Sequence, residues 1–370
     1  MRRVALWGLV VLVVLGLVAV TGIGWYYSGE ILLVEPEEDP VYDTEVVAVD
    51  GGAVVLEDSA DARRPGIWGL DFPDGYAQVG DVDGVEQEGV RRPLTAIDGV
   101  PDAGDEVRLD RYAYPPDPER AGFDFTVSSV DIAAPLGTQP AWYVDRADER
   151  WAIFVHGRAG GRHDCFRLLP LFTSLDFSSL CISYRNDPDT NSDPDGLYRQ
   201  GDTEWTDVEA AVQHALGEGA ETLVLVGFSM GGQITANFLR RSALAGEVDA
   251  AVWDAPLLDW GPTLEAGARD RDVPTVIVPL GMAASELRAD VDYEELNQIA
   301  NADEFSQPIL LFHGTADATV PVSVSDRFAQ ARPDLVTYER VDDAGHLQAW
   351  NVDPPRFETA VRTFLADHAP

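Results

Sequence analysis

Three regimes of hydrophobic patterning follow one another along the chain. Residues 4–24, VALWGLVVLVVLGLVAVTGIG, contain no charged residue, about the length that a helix needs to cross a bilayer. From residue 45 the apolar runs become short: EVVAVDGGAVVLE, GIWGLDF, GYAQVGDV, VRRPLTAI and DEVRLDRY, punctuated by Gly, Pro and Asp. Asp50-Gly51-Gly52 between two such runs is a hairpin signal, and the spacing predicts a small β-rich module over 45–115, a curled sheet or barrel. YPPDPERAG, at 114–122, marks a boundary. Beyond it the rhythm changes again. VSSVDIAA, PAWYVDR, WAIFVHG, SSLCISY, ETLVLVGF, DAAVWDAP, PILLFHG and TYERV read as strands. CFRLLPLFTSL, TEWTDVEAAVQHAL, MGGQITANFLRRSAL and PPRFETAVRTFLADH read as helices, the second with Trp205, Val208, Val212 and Ala215 on one face. Alternation of this kind over 122–370 predicts an α/β fold, a doubly wound and mostly parallel sheet covered on both faces. Residues 261–305 break the alternation and predict a small helical cap over the sheet ends.

The flanks of the apolar run change how it is read. Arg2 and Arg3 precede it; Trp25, Tyr26 and Tyr27 follow it, as in a helix anchored at both membrane interfaces. Only acids come soon after, at Glu30, Glu35, Glu37, Glu38 and Asp39. The positive-inside rule then predicts a cytoplasmic tip at 1–3, a single transmembrane anchor at 4–27, a linker at 28–44, and the remainder of the chain outside the cytoplasm. A cleaved signal peptide is the rival reading, although the apolar core is long for one and no Ala-x-Ala site follows.

Charge removes several classes of partner. Lys+Arg total 26 against Asp+Glu 64, a formal net charge of −38, and no lysine occurs. Such a surface repels nucleic acid and anionic headgroups and suits a salt-rich medium, where screening suppresses self-repulsion. The two cysteines, Cys165 and Cys181, form no zinc pattern. Cys181 reads as a small core residue, and a Cys165–Cys181 bridge stays open if the compartment is oxidising.

Candidate chemistry centres on VLVGFSMGGQ, residues 224–233. Gly227-Phe228-Ser229-Met230-Gly231 is a G-x-S-x-G placed after a predicted strand and at the start of a predicted helix, the context that gives the motif meaning. A sharp turn there lifts the hydroxyl above the sheet edge, and flanking side chains would collide with the adjacent strand and helix. The helix N-terminus can offer N–H groups to a developing oxyanion. A serine needs a base oriented by an acid. FHGTADATVP puts Asp317 in a turn after one strand, and DDAGHLQAW puts His346 in a loop after the next.

From about residue 125 onward the chain resembles the α/β-hydrolase superfamily, on FVHG, GFSMGG, HGTADATVP and AGHLQAW in that order. The resemblance covers about two-thirds of the chain and leaves residues 1–120 outside. It implies Ser229 as nucleophile, His346 as general base and then acid, and Asp317 as the group that orients the imidazole. It implies an oxyanion hole from the N–H of Met230 and, in the first loop, the N–H of Arg158, with Ala159-Gly160-Gly161 as neighbouring donors. Asp254, in VWDAP, is the rival acid. No cofactor and no metal are implied. The expected activity is hydrolysis of a small-molecule ester, with an amidase or peptidase on the same triad and an inert surface binding protein as alternatives.

The remaining motifs read as structural. His156 is expected to support a strand end, and His163, His214, His313 and His368 to be structural or solvated. NDPDTNSDPDG, at 186–196, only superficially resembles a calcium loop: no glycine holds its sixth position and no glutamate its twelfth. It is expected to be a solvated acidic loop on the rim of the site.

Overall fold

The computed structural model describes residues 2–34 and 39–370. Met1 of the expected tip and residues 35–38 of the expected linker lie outside the described residues. The first element, α1 (Arg2–Leu32), is a bare apolar rod over its middle, where Leu12, Leu15 and Val18 are each about three-fifths exposed or more. It is long and apolar enough to cross a membrane.

The helix does not stop where the apolar run ends. The linker expected at 28–44 is corrected at its start: α1 continues to Leu32, and Ser28, Ile31 and Leu32 are buried against the rest of the protein. Its last carbonyls are claimed by side chains. The Arg158 guanidinium donates to the carbonyls of Ile31 at 2.5 Å and of Glu30 and Leu33 at 3.1 Å each. Gln200 Nε2 donates to Ile31 O at 2.6 Å. Four orphan carbonyls end every α-helix, and a cation there also opposes the helix dipole.

Residues 44–110 form an antiparallel barrel of β1 (Thr44–Asp50), β2 (Ala53–Leu56), β3 (Trp68–Phe72), β4 (Gly75–Val79), β5 (Gly84–Val85), β6 (Val90–Asp98) and β7 (Glu106–Asp110). The order is β2-β1-β7-β3-β4-β6, and pairing of β2 with β6 closes the ring, leaving β5 on the outside of β6. Closure removes the exposed edges that an open sheet of short strands would carry. Val46, Val54, Leu56, Trp68, Leu70 and Val107 fill the interior.

The larger sheet has eight strands in the order β15-β14-β13-β12-β10-β11-β9-β8. They are β8 (Ser128–Ala134), β9 (Gly137–Val144), β10 (Ala147–Val155), β11 (Phe177–Ile182), β12 (Thr222–Phe228), β13 (Ala250–Asp254), β14 (Ile309–Gly314) and β15 (Val336–Val341). The six strands from β11 to β15 across the sheet run parallel, whereas β8 and β9 are antiparallel. Apolar clusters on both faces, covered by helices, explain why the cores of β12, β13 and β14 read as continuous apolar runs. The helices are α2 (Leu169–Ser174), α3 (Trp205–Gly217), α4 (Met230–Arg241), α5 (Trp260–Asp270), α6 (Val278–Ala289), α7 (Val322–Ala331), α8 (Ala349–Val352) and α9 (Pro354–His368). The helix predicted over CFRLLPLFTSL is shorter than expected, because a 3₁₀ turn at Arg162–Cys165 precedes α2, which Pro170 opens.

That turn lays Cys165 against β11, where Cys165 and Cys181 are joined by a buried disulfide with Cα atoms 6.3 Å apart. The bridge, and not the free core thiol, is therefore the arrangement found.

Between β13 and β14, α5 and α6 form the cap. Helix α6 lies against the last turns of α1. A Cβ on Gly24 would stand 2.8 Å from the carbonyl oxygen of Leu280, so the two backbones approach as closely as small residues allow. Arg288 of α6 sits 5.0 Å above the Trp25 ring and donates to Ser28 Oγ at 3.2 Å.

Candidate active site

Ser229 stands at the end of β12 with φ 51° and ψ −114°, a strained conformation for a residue with a side chain. Neighbours hold it there. Its N–H donates to Asp254 O at 3.0 Å, and its carbonyl accepts from Gly232 N at 2.9 Å and Leu257 N at 3.0 Å. Gly231 is required by close approach, since a Cβ there would collide with the carbonyl oxygen of Val155 on β10. The strand, the turn and α4 thus lock the hydroxyl at the sheet edge, with Met230 as the first helical residue.

His346 and Asp317 reach this hydroxyl from two separate loops. His346 Nε2 lies 2.9 Å from Ser229 Oγ, and His346 Nδ1 lies 2.7 Å from Asp317 Oδ2. An ionised carboxylate only accepts, so Nδ1 carries the proton and Nε2 is left to accept from the serine hydroxyl. Asp317 is fixed from below. Its Oδ1 accepts from the N–H groups of Thr319 and Val320, both at 2.8 Å. Its Oδ2 also lies 3.2 Å from Nε2 of His313. Burial alone would raise this carboxyl, but the hydrogen bonds and charges of His313 and His346 outweigh it and hold the group well below the usual carboxylate range.

Asp254 is placed differently. Its carboxyl is buried, one oxygen finds no hydrogen-bond partner among the described residues, and burial pushes it up to about 6 despite the charge of Arg167. It supports the nucleophile turn through its backbone carbonyl, not the imidazole through its side chain.

The first loop passes directly beneath the serine. A Cβ on Gly157 would lie 3.1 Å from the Cβ of Ser229. Gly157 N–H points to Asp164 Oδ2 at 3.4 Å, and Arg158 follows on the wall of the same cavity.

The structure gives several residues around the site a part that the sequence reading did not assign to them. The 186–196 loop is solvated over most of its length, as expected, with Asp189 and Asp195 exposed, but Asn186, Asp187 and Asp193 are buried. Asp187 Oδ2 sits 2.7 Å from His156 Nε2, which pins the end of β10, and Arg185 offsets Asp193 and Asp207. These pairs make burial of the carboxylates tolerable. The loop is not part of the cavity wall. His313, expected to be structural or solvated, is fully buried and bridges Ser325 Oγ, Val320 O and Asp317. Its place four residues before Asp317, at the end of the same strand, was the available signal. The barrel contributes too. Asn351, just past the His346 loop, donates to the carbonyls of Ile67 and Arg111 at 2.9 Å each and accepts from Ile67 N–H at 2.8 Å. Arg111 itself reaches the cavity wall.

The cavity over Ser229 and His346 measures about 480 Å³, the size of a small-molecule site. Its walls come from the first loop, from Leu257 before the cap, from Trp260 and other residues of the cap, and from Tyr27, Glu30 and Ile31 of α1. Among the described residues no group of His, Cys, Asp and Glu is arranged to hold a metal ion.

Comparisons with known proteins agree with this architecture. Residues 45–110 match a domain of unknown function (DUF8805), and residues 152–360 match the Alpha/beta hydrolase family. The uncharacterized protein YfhR of Escherichia coli O157:H7 is 25% identical over 252 residues, covering 66% of this chain and 82% of that protein. YfhR of strain K12 is 23% identical over the same length and coverage. The esterase Pf2001 of Pyrococcus furiosus superposes with a TM-score of 0.56 at 20% identity, over 66% of this chain and 92% of that one, a likeness of fold. With more than half of its length matched to the family and the sheet order above, this chain belongs to the α/β hydrolase family.

Proposed function

We propose that the protein is a membrane-tethered serine hydrolase that cleaves acyl esters outside the cytoplasm and uses no cofactor. One observation carries the reading: Ser229, His346 and Asp317, from three separate loops, form a single hydrogen-bonded chain at 2.9 and 2.7 Å. Ser229 Oγ attacks the ester carbonyl as His346 Nε2 takes its proton. The carbonyl oxygen becomes an oxyanion and accepts from the N–H groups of Met230 and Arg158. Collapse breaks the carbon–oxygen bond, and the leaving alkoxide receives the proton from His346. Water, deprotonated by the same nitrogen, then cleaves the acyl-serine and restores the enzyme. Asp317 keeps Nδ1 protonated and offsets the transient imidazolium.

An ester is favoured because a protein named as an esterase shares the fold. Tethering is supported by the exposed apolar rod of α1, and an oxidising compartment by the buried Cys165–Cys181 bridge. A fluorophosphonate probe tests the reading. The wild type is expected to be labelled, Ser229→Ala not, and p-nitrophenyl esters to be turned over faster than peptide anilides. A folded wild type that resists the probe and cleaves neither substrate would refute it.

A further inference from the structure

A membrane anchor needs no contact with the active site, yet here the anchor helix is part of the site's wall. Tyr27, Glu30 and Ile31 line the same cavity as Ser229 and His346. Beside them on the same wall stand Ile277, Val278 and Gly281 of the cap. A Cβ on Gly281 would lie 3.4 Å from atoms of Tyr27 and Ile31, so the cap and the helix meet in one seam. The last three turns of α1 are socketed in the protein, while residues 11–20 are exposed throughout. About 20 apolar residues, up to Ile23, therefore project as the membrane-spanning part. Trp25 and Tyr26, 53% and 64% exposed, mark the interface. Ile31 is seven residues beyond Gly24, about 10 Å along the helix. The cavity thus begins within about 10 Å of the leaflet surface.

The cap carries a matching outer face. Val276 and Leu287 are 77% and 85% exposed, and Pro279 and Ala283 lie exposed between them at helical spacing. This stripe adjoins the emerging helix, since its neighbour Arg288 rests on Trp25. An exposed stripe with a large apolar side chain at each end and Pro and Ala between them, beside an apolar helix of spanning length, is suited to contact with lipid.

From this juxtaposition we infer that the hydrolase draws its substrate from the bilayer. The substrate class is an amphiphilic long-chain acyl ester resident in the leaflet. Its carbonyl is lifted to Ser229 while the acyl chain trails toward the membrane along the cavity wall that Tyr27 and Ile31 share with Ile277 and Val278. The inference rests on the tethered ester hydrolase proposed above. The polar portion of the lipid meets the exposed rim of Glu30, Asp270 and Arg271, where Arg271 lies 3.9 Å from Glu30.

The test uses full-length protein in phosphatidylcholine vesicles, whose zwitterionic surface avoids repulsion by the −38 charge. The vesicles carry a fluorogenic long-chain acyl ester, and a water-soluble short-chain ester is assayed in the same sample. Val276→Asp with Leu287→Asp places charge on the stripe without touching the cavity wall. Turnover of the vesicle-borne ester is expected to fall on the order of tenfold while the soluble ester is cleaved as before. Equal rates on the vesicle-borne ester for wild type and variant would overturn the inference. So would a wild type that cleaves the soluble ester and ignores the vesicle-borne one, an outcome that leaves the hydrolase reading standing. A wild type inactive on both would remove the hydrolase reading and the inference together.

Discussion

Replacing Asp317 with asparagine asks a sharply defined question of the site. Four donors converge on the Asp317 carboxylate: the N–H groups of Thr319 and Val320 on Oδ1, and His346 Nδ1 with His313 Nε2 on Oδ2. An amide has one accepting end. If its oxygen stays with the two backbone N–H groups, its NH₂ faces His346. Nδ1 must then accept, the imidazole proton moves to Nε2, and no lone pair is left to take the serine proton. The escape is a flip of the amide, which restores the working tautomer but turns the buried NH₂ toward the N–H groups of Val320, which is buried, and Thr319, which is exposed, so that the amide and the Val320 N–H are two buried donors without an acceptor. Each unsatisfied buried group costs about 1–3 kcal/mol, so the flipped state lies about 2–6 kcal/mol higher. At 1.36 kcal/mol per tenfold, kcat should fall between about 30-fold and 10⁴-fold. The upper end equals the loss expected when the tautomer is wholly wrong. KM for a p-nitrophenyl ester should change little, because the cavity wall does not include Asp317, and circular dichroism should report an intact fold. Near-wild-type kcat in a folded Asp317→Asn protein, with collapse in Asp254→Asn, would refute the reasoning and move the acid to β13.

Further outcomes follow from other parts of the structure. Ser229→Ala and His346→Ala should each lower kcat by about 10⁴ to 10⁶, and the double variant scarcely more, because neither group works alone; additive losses in kcat measured for all three would argue against a coupled pair. Asp254 keeps its proton in the fold up to about 6, against about 3.9 when unfolded. The folded state therefore binds more protons in that window, and stability falls as pH rises through it. Asp254→Asn should lose that slope, so melting curves of the two proteins should diverge as pH rises from about 4.5 to 7; parallel curves would count against a buried, reluctant carboxyl. With a net charge of −38, melting temperature and activity should rise from dilute buffer to about 1 M salt, where the screening length is about 3 Å. A stability maximum at low ionic strength would contradict this. Protease added to intact cells should reach the catalytic domain, and the mature chain should keep its N-terminus; a start near residue 25 would replace the anchor by a cleaved signal.

What could be read from the sequence was local. The nucleophile turn is written in ten consecutive residues, because strand, tight turn and helix each leave their own periodicity. Asp317 and His346 were readable for the same reason, each following a short apolar strand. Contacts between distant segments left no such trace. Nothing in residues 28–32, SGEIL, announces that Ile31 and Leu32 are buried against a domain beginning a hundred residues later. The acidic loop at 186–196 has the composition of a solvated segment and is mostly exposed, and only pairing with His156 and Arg185, which follow β10 and β11, allows Asp187 and Asp193 to be buried. The disulfide depended on a 3₁₀ turn that brings Cys165 beside β11. The barrel closes through β2 and β6, a pairing across more than thirty residues.

Arg158 joins the two halves of the functional reading. Its backbone belongs to the loop beneath Ser229, where an oxyanion donor is needed, and its guanidinium holds the carbonyl end of α1. A shift of the helix end would therefore be felt at the loop through one side chain of fixed planar geometry. Lysine cannot reproduce that fork, since it offers a point charge where three carbonyls are held by two nitrogens. The chain's complete lack of lysine follows from composition, but at this position arginine has a reason in geometry. The same contact explains why α1 ends as it does: a helix meant only to anchor could leave its last carbonyls to water. Here they are spent on the loop beneath Ser229, and the end of the apolar helix becomes part of the domain that carries the candidate site.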